Sequence, residues 1–169
     1  CLTARVYLPT IVRGRVLWHV GSSASKSAAA FTESYGAFQR TALQQEPAYQ
    51  VRGVLTDGFD STIQSMQTLF PRARLGFCLR HALNKLPDKL IGLSAPLRQG
   101  LRAKFHALLH RCRQRKSLRV VALGQRLRHF ADHIATTVGQ AHGERVRSWF
   151  EAKKAGWYAV LEDPRMPMT

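Results

Sequence analysis

The chain has 169 residues, 45% of them hydrophobic, and carries 26 Lys and Arg against 10 Asp and Glu, a formal net charge of +16. That apolar content supports one principal core, and a charge this lopsided favours a polyanionic partner, nucleic acid before an acidic membrane. No apolar run approaches the roughly 18 residues of a spanning helix, no basic amphipathic segment has a Trp/Phe-rich face, and Cys1, Cys78 and Cys112 make no even disulfide framework, so a reducing intracellular setting, cytoplasm or nucleoid, with no membrane partner is expected.

From Ala4 to Gly21, β-branched, aromatic and polar residues alternate around Val12-Arg13-Gly14-Arg15. This predicts a hairpin of Arg5–Thr10 and Arg15–Val20 turning near Arg13-Gly14. Ser22–Ser27 is a polar break that can cap a helix, with Ser25 or Ser27 as N-cap. Ala28, Phe31, Tyr35, Phe38 and Ala42 then fall at helical spacing up to Glu46-Pro47, which ends the helix. Val51–Gly58 reads as a short apolar strand running into an acid and a glycine, a pattern that fits a strand buried on both faces. Ile63, Met66, Leu69 and Phe70 mark a helix closed by Pro71. Ala73–Phe77 reads as a strand, and Cys78 to about Leu93 as a helix with Leu79, Ala82, Leu83, Leu86 and Leu90 inward.

After Pro96 the character changes. Residues 97–113, 117–138 and 141–161 all read as helices, with Leu101, Phe105 and Leu108 on one stripe and Leu123, Leu127, Phe130 and Ile134 on another. Charge concentrates in the same stretch: residues 98–154 hold fourteen Lys and Arg against Asp132, Glu144 and Glu151, net +11. Within it Arg111, Arg113, Arg115, Lys116 and Arg119 fall within nine consecutive positions and are the best candidates for phosphate contacts, which position without reading sequence. The competing reading is a solvated helical face. In order, a hairpin, alternating strands and helices, then an all-helical block, predict an α/β domain with a mixed sheet.

Asp57 stands at the carboxyl end of the predicted central strand, where α/β sheets hold their ligands. A carboxylate there is costly unless it meets a cleft, a hydrogen-bond network or a cation. Asp57-Gly58 is also ordinary turn chemistry.

Taken together, Val54-Leu55-Thr56-Asp57-Gly58, Leu69-Phe70-Pro71-Arg72-Ala73, Cys78-Leu79-Arg80-His81 and Asn84-Lys85-Leu86 resemble the Mutator-type transposases and related bacterial insertion-sequence enzymes. In that family the second acid of a DDE triad ends a strand, a Phe-Pro-x-Ala turn follows, and Cys-x-x-His opens the next helix. The resemblance implies a ribonuclease-H-like core over residues 1–95, a basic helical insertion over 96–161, and a truncated lead-in to the final catalytic helix over 162–169. It makes Asp57 the catalytic metal ligand, with Cys78 and His81 supporting the active site. It places the first acid upstream of Cys1 and the last beyond Thr169, so the chain reads as an interior piece of a catalytic domain. The implied cofactor is Mg²⁺, or Mn²⁺, as a pair of ions about 3.5–4 Å apart. The implied partners are DNA, as transposon ends and target, with a homo-oligomer as an open option.

Zinc held by Cys78, His81, His110 and Cys112 is a further option, against which the one-residue gap of the second pair argues. Trp149, between Arg147 and Lys153, is a candidate for stacking on an unpaired base, set against the commoner role of helix core. Three functional readings compete: a DDE transposase catalytic domain lacking two acids; a non-catalytic DNA-binding or interaction module in which Asp57 is only a turn residue; and a basic helical protein with no α/β core.

Overall fold

A computed structural model describes residues 10–13, 16–114 and 119–163. The chain forms two compact units, residues 1–75 and 76–169.

The first unit contains β1 (Thr10–Arg13), β2 (Val16–Val20), α1 (Ala28–Gln45), β3 (Gly53–Thr56) and α2 (Asp60–Leu69), and it ends inside β4 (Arg74–Phe77). β1 and β2 pair antiparallel, Thr10 opposite Val20 and Arg13 opposite Val16, with a bulge between Ile11 and Val12. The two strands pair as the predicted hairpin requires, with Thr10 in its first strand and Val16–Val20 in its second; the rest of the expected first strand, residues 5–9, and positions 14–15 lie outside the described residues. α1 starts where the serine run predicts. Ser27 is extended (φ −67°, ψ 153°) and its hydroxyl accepts from the Ala30 amide at 3.2 Å, satisfying a donor the first helical turn leaves open.

α1 and α2 pack together, burying Phe31, Tyr35 and Met66 with Ile11, Val54, Leu69, Phe70 and Leu75 against them. Two polar ties hold this pair. Ser65, fully buried, lies 2.9 Å from the Ala28 carbonyl and 2.7 Å from that of Ser61, and Gln39 Nε2 donates to the Leu69 carbonyl at 2.6 Å. The Phe70-Pro71-Arg72-Ala73 segment is a turn closed by the Ala73 amide on the Phe70 carbonyl at 2.9 Å; Pro71 stands where a fixed φ suits the turn.

The α/β, ribonuclease-H-like mixed sheet predicted from sequence is not formed among the described residues. Among the described residues the strands form two separate two-stranded sheets, β1–β2 and the parallel pair β3–β4, in a chain that is otherwise mostly helical. β3 is not buried on both faces: Gly53 is exposed, Val54 and Leu55 are half-buried, and only Thr56 is buried. Two apolar residues side by side cover one face each, and Val54 reaches the α1–α2 core from a single side. Strands of four or five residues also offer few ladder bonds, and the helices carry most of the apolar periodicity.

The second unit contains α3 (Leu79–Lys89), α4 (Ala95–Gln114), α5 (Arg119–Val138) and α6 (Gln140–Glu162). α3 packs on α4 and α6, and α5 packs on α4 and α6. α3 buries Leu79, Ala82 and Leu86 as its sequence pattern predicts, with Leu83 only half-buried. The predicted α5 stripe of Leu123, Leu127, Phe130 and Ile134 is buried as a whole, whereas the α4 stripe runs through Leu101, Phe105, Leu109 and Cys112. At its centre Phe105 stacks on Phe130 (centroids 5.3 Å apart) and on Phe150 (5.5 Å). α5 and α6 lie close together at Gly143, where an added Cβ would stand 2.8 Å from Ala135 Cα and 2.9 Å from its amide nitrogen. Among the described residues no helix is long and apolar enough to cross a membrane.

Candidate nucleic-acid interface

Asp57 is exposed and follows β3 directly. Its Oδ1 accepts from the Phe59 amide at 3.0 Å, and Thr56 Oγ1 accepts from the Gly58 amide at 3.1 Å. Gly58 has φ +82°, a conformation L side chains resist. These bonds form an ST turn and then an Asx turn, which deliver the chain into α2, whose N-cap residue Phe59 offers no side-chain acceptor. The carboxylate also acts on Tyr35: burial first, and then the Asp57 charge, push the phenol above its ordinary value, while a hydrogen bond with Thr62 pulls the other way.

That arrangement has a measurable consequence. A phenol held neutral above its unfolded value of about 10 stabilises the fold fully below pH 10, and the contribution is lost as pH rises beyond it. Asp57→Asn keeps the turn acceptor and removes the charge. It is expected to lower the Tyr35 midpoint, read by NMR from the Tyr35 ring carbon; a midpoint unmoved by the substitution would disconnect the two groups.

Cys78 is buried and is the N-cap residue of α3, while His81 is exposed one turn later. Among the described residues no three His, Cys, Asp or Glu side chains gather where they could hold a metal ion. The zinc quartet of Cys78, His81, His110 and Cys112 is thus not assembled. The two-ion carboxylate site implied for Mg²⁺ or Mn²⁺ does not fit the described residues either, since Asp57 is one carboxylate already bonded within its own turn; Mg²⁺ needs several oxygens.

The basic segment is better ordered around a groove between α4 and α5. α4 presents Lys104, Ala107, Leu108 and Arg111, and α5 presents Arg126, His129, Phe130 and His133. Both sets follow the i, i+3, i+4, i+7 spacing of one helix face. Lys104 Nζ lies 2.8 Å from His133 Nε2, and His133 Nδ1 lies 3.4 Å from Thr137 Oγ1. A charged Lys104 donates, so Nε2 is the acceptor and the ring proton belongs on Nδ1, facing Thr137. Among the described residues no carboxylate lines the groove. Of the five predicted phosphate contacts, Arg111 is exposed and lies in this groove. Arg113 and Arg119 lie in α4 and α5 with side chains outside the described residues, as Arg115 and Lys116 lie wholly outside them.

Trp149 is half-buried, with ring centroids 5.2 Å from Phe150, 5.5 Å from Trp157 and 6.3 Å from Phe105, and with Lys89 Nζ 5.9 Å from its own centroid. It is an edge of the aromatic core.

No family model, no curated protein and no solved structure matches the chain.

The acids of the basic segment are used internally. Arg147 bridges Asp132 (2.6 Å) and Glu144 (2.5 Å), and Lys154 pairs with Glu151. The hydrogen bonds to Asp132 and then Glu144 hold the Arg147 guanidinium above its usual range. Arg147 thus ties α5 to α6. Sequence reasoning missed Lys104, Arg126, His129 and His133 because it ranked cations by density along the chain; the matched spacing on the two helices was there to be read.

Proposed function

We propose that this chain binds DNA through its helical unit, as part of a Mutator-type DDE transposase, and that as it stands it does not cleave. The observation that carries the reading is the groove of Lys104, Arg111, Arg126, His129 and His133, with no carboxylate among its described lining, in a segment of net charge +11. The transposase assignment is supported by the quoted motifs. An intracellular setting and a second copy of the chain as partner belong to the same proposal.

The expected result is binding of a fluorescein-labelled DNA duplex whose log affinity falls linearly with log salt concentration. Arg111→Ala and Arg126→Ala should each reduce the slope by about 1. Binding insensitive to salt, or slopes equal to that of the parent chain, would sink the proposal.

A second reading, a DNA-binding module without a catalytic role, is favoured by the Asx turn at Asp57. With Mg²⁺ or Mn²⁺ supplied, no nicking or joining of supercoiled DNA is expected from this chain. Nicking abolished by Asp57→Asn would overturn that expectation and make Asp57 a catalytic ligand.

A further inference from the structure

We infer that the α4–α5 groove takes single-stranded DNA in preference to duplex, its apolar floor receiving an unpaired base and its cationic rim the phosphates. The inference rests on the DNA-binding reading and names the form of DNA the site accepts.

The floor is Ala107, Leu108 and Phe130, and the surface the groove exposes is mostly apolar. Leu108 faces it half-buried, while the core stripe of α4 passes through Leu109 instead. Phe130 is held from behind by Phe105 and Phe150, with centroids 5.3 and 6.2 Å away, which fixes the floor in place. At one end of the groove Lys104 meets His133. With the helices antiparallel in that register, Arg111, seven residues along α4, stands level with Arg126, seven residues back along α5. The two cationic ends are thus about 10.5 Å apart along the helix axes. Arg126 lies beside the Cys112 thiol, which burial pushes up and the Arg126 charge pulls down. Two arginines at one level with no lining carboxylate form a site that an anion stabilises.

A duplex gains from the rim alone. Its bases stay stacked inside, and its rigid phosphate rows gain nothing from an apolar floor. An unpaired strand uses both parts, as stacking platforms flanked by cations do for single strands generally. The floor offers no amide or hydroxyl side chain to read a base edge, so little sequence preference accompanies the binding.

The test uses the full chain in fluorescence anisotropy with a labelled thymidine oligonucleotide and a labelled duplex carrying the same number of phosphates, at two salt concentrations. Tighter binding of the single strand by roughly tenfold is expected. Leu108→Ser should remove most of that preference, with circular dichroism confirming retained helices at the assay temperature, and Arg126→Ala should weaken binding of both forms. Equal or tighter binding of the duplex overturns this inference and leaves the DNA-binding reading intact. A single-strand preference that survives Leu108→Ser and Arg126→Ala places the site elsewhere and also overturns it. Failure to bind either form overturns the DNA-binding reading together with the inference.

Discussion

Phe105→Ala is expected to lower the thermal midpoint of the helical unit by on the order of 20 °C, or to leave it without a cooperative transition. Phe105 is fully buried, stacked on Phe130 and Phe150, and also 6.3 Å from Trp149. One substitution therefore leaves a void against three rings at once. Burying a Phe typically contributes about 3–5 kcal/mol by truncation to Ala, a large share of the roughly 5–15 kcal/mol that holds a domain together. In a unit of this size each kcal/mol moves the midpoint by about 4–8 °C. Near-ultraviolet circular dichroism should lose the aromatic signal in parallel. Phe105→Leu, which refills part of the volume, should recover much of the loss; a Phe105→Ala chain melting within a few degrees of the parent would show that the aromatic cluster does not hold α4, α5 and α6 together.

Gly143→Ala carries the second large effect, and its sign is opposite to that expected from helix propensity. In an open helix the change from Gly to Ala stabilises by up to about 1 kcal/mol. At Gly143 the added methyl would meet the Ala135 backbone, 2.8 and 2.9 Å away, and its Cβ at 2.5 Å. Backbone cannot rotate aside, so α5 and α6 must separate, and overpacking of this kind costs about 1–3 kcal/mol or more. Gly100 supplies the control. It lies in α4, and a Cβ there meets nothing within 4 Å. Chemical denaturation of both variants should show Gly143→Ala destabilised and Gly100→Ala stabilised. The same sign for both would mean that the α5–α6 approach is looser than described.

What the sequence made legible was local. Ser27, one of the two expected caps, and the stripe Leu123-Leu127-Phe130-Ile134 appear where they were expected, and so does the Phe70-Pro71-Arg72-Ala73 turn that the resemblance implied, because caps, turns and helical faces are determined within a few residues. Sheet architecture was not legible. Which strands pair depends on partners far along the chain, and the apolar run at Val54-Leu55 reads alike for a central strand and for one with a single covered face. The groove sits between these cases. Its two faces are encoded locally on α4 and α5, but their opposition is a tertiary fact, so the density of Arg111–Arg119 drew attention away from Lys104 and Arg126. Asp57 shows the same division: the turn chemistry of Asp57-Gly58 is local and present, whereas a catalytic role needs further carboxylates brought alongside it, which neighbouring residues do not encode.

Cys78 and Cys112 are both buried, 7% and 2% exposed, and both belong to the helical unit. Only a thiolate reacts with an alkylating reagent, and burial holds the Cys112 thiol above its usual range. Each thiol therefore waits for its surroundings to open before it can be labelled, at different places: one at the start of α3, the other near the end of α4. With Cys1 replaced by Ser, the chain carries its own pair of clocks for local opening. Labelling rates at the two sites, followed by mass spectrometry, would report whether this unit opens in one step or frays first beside the groove.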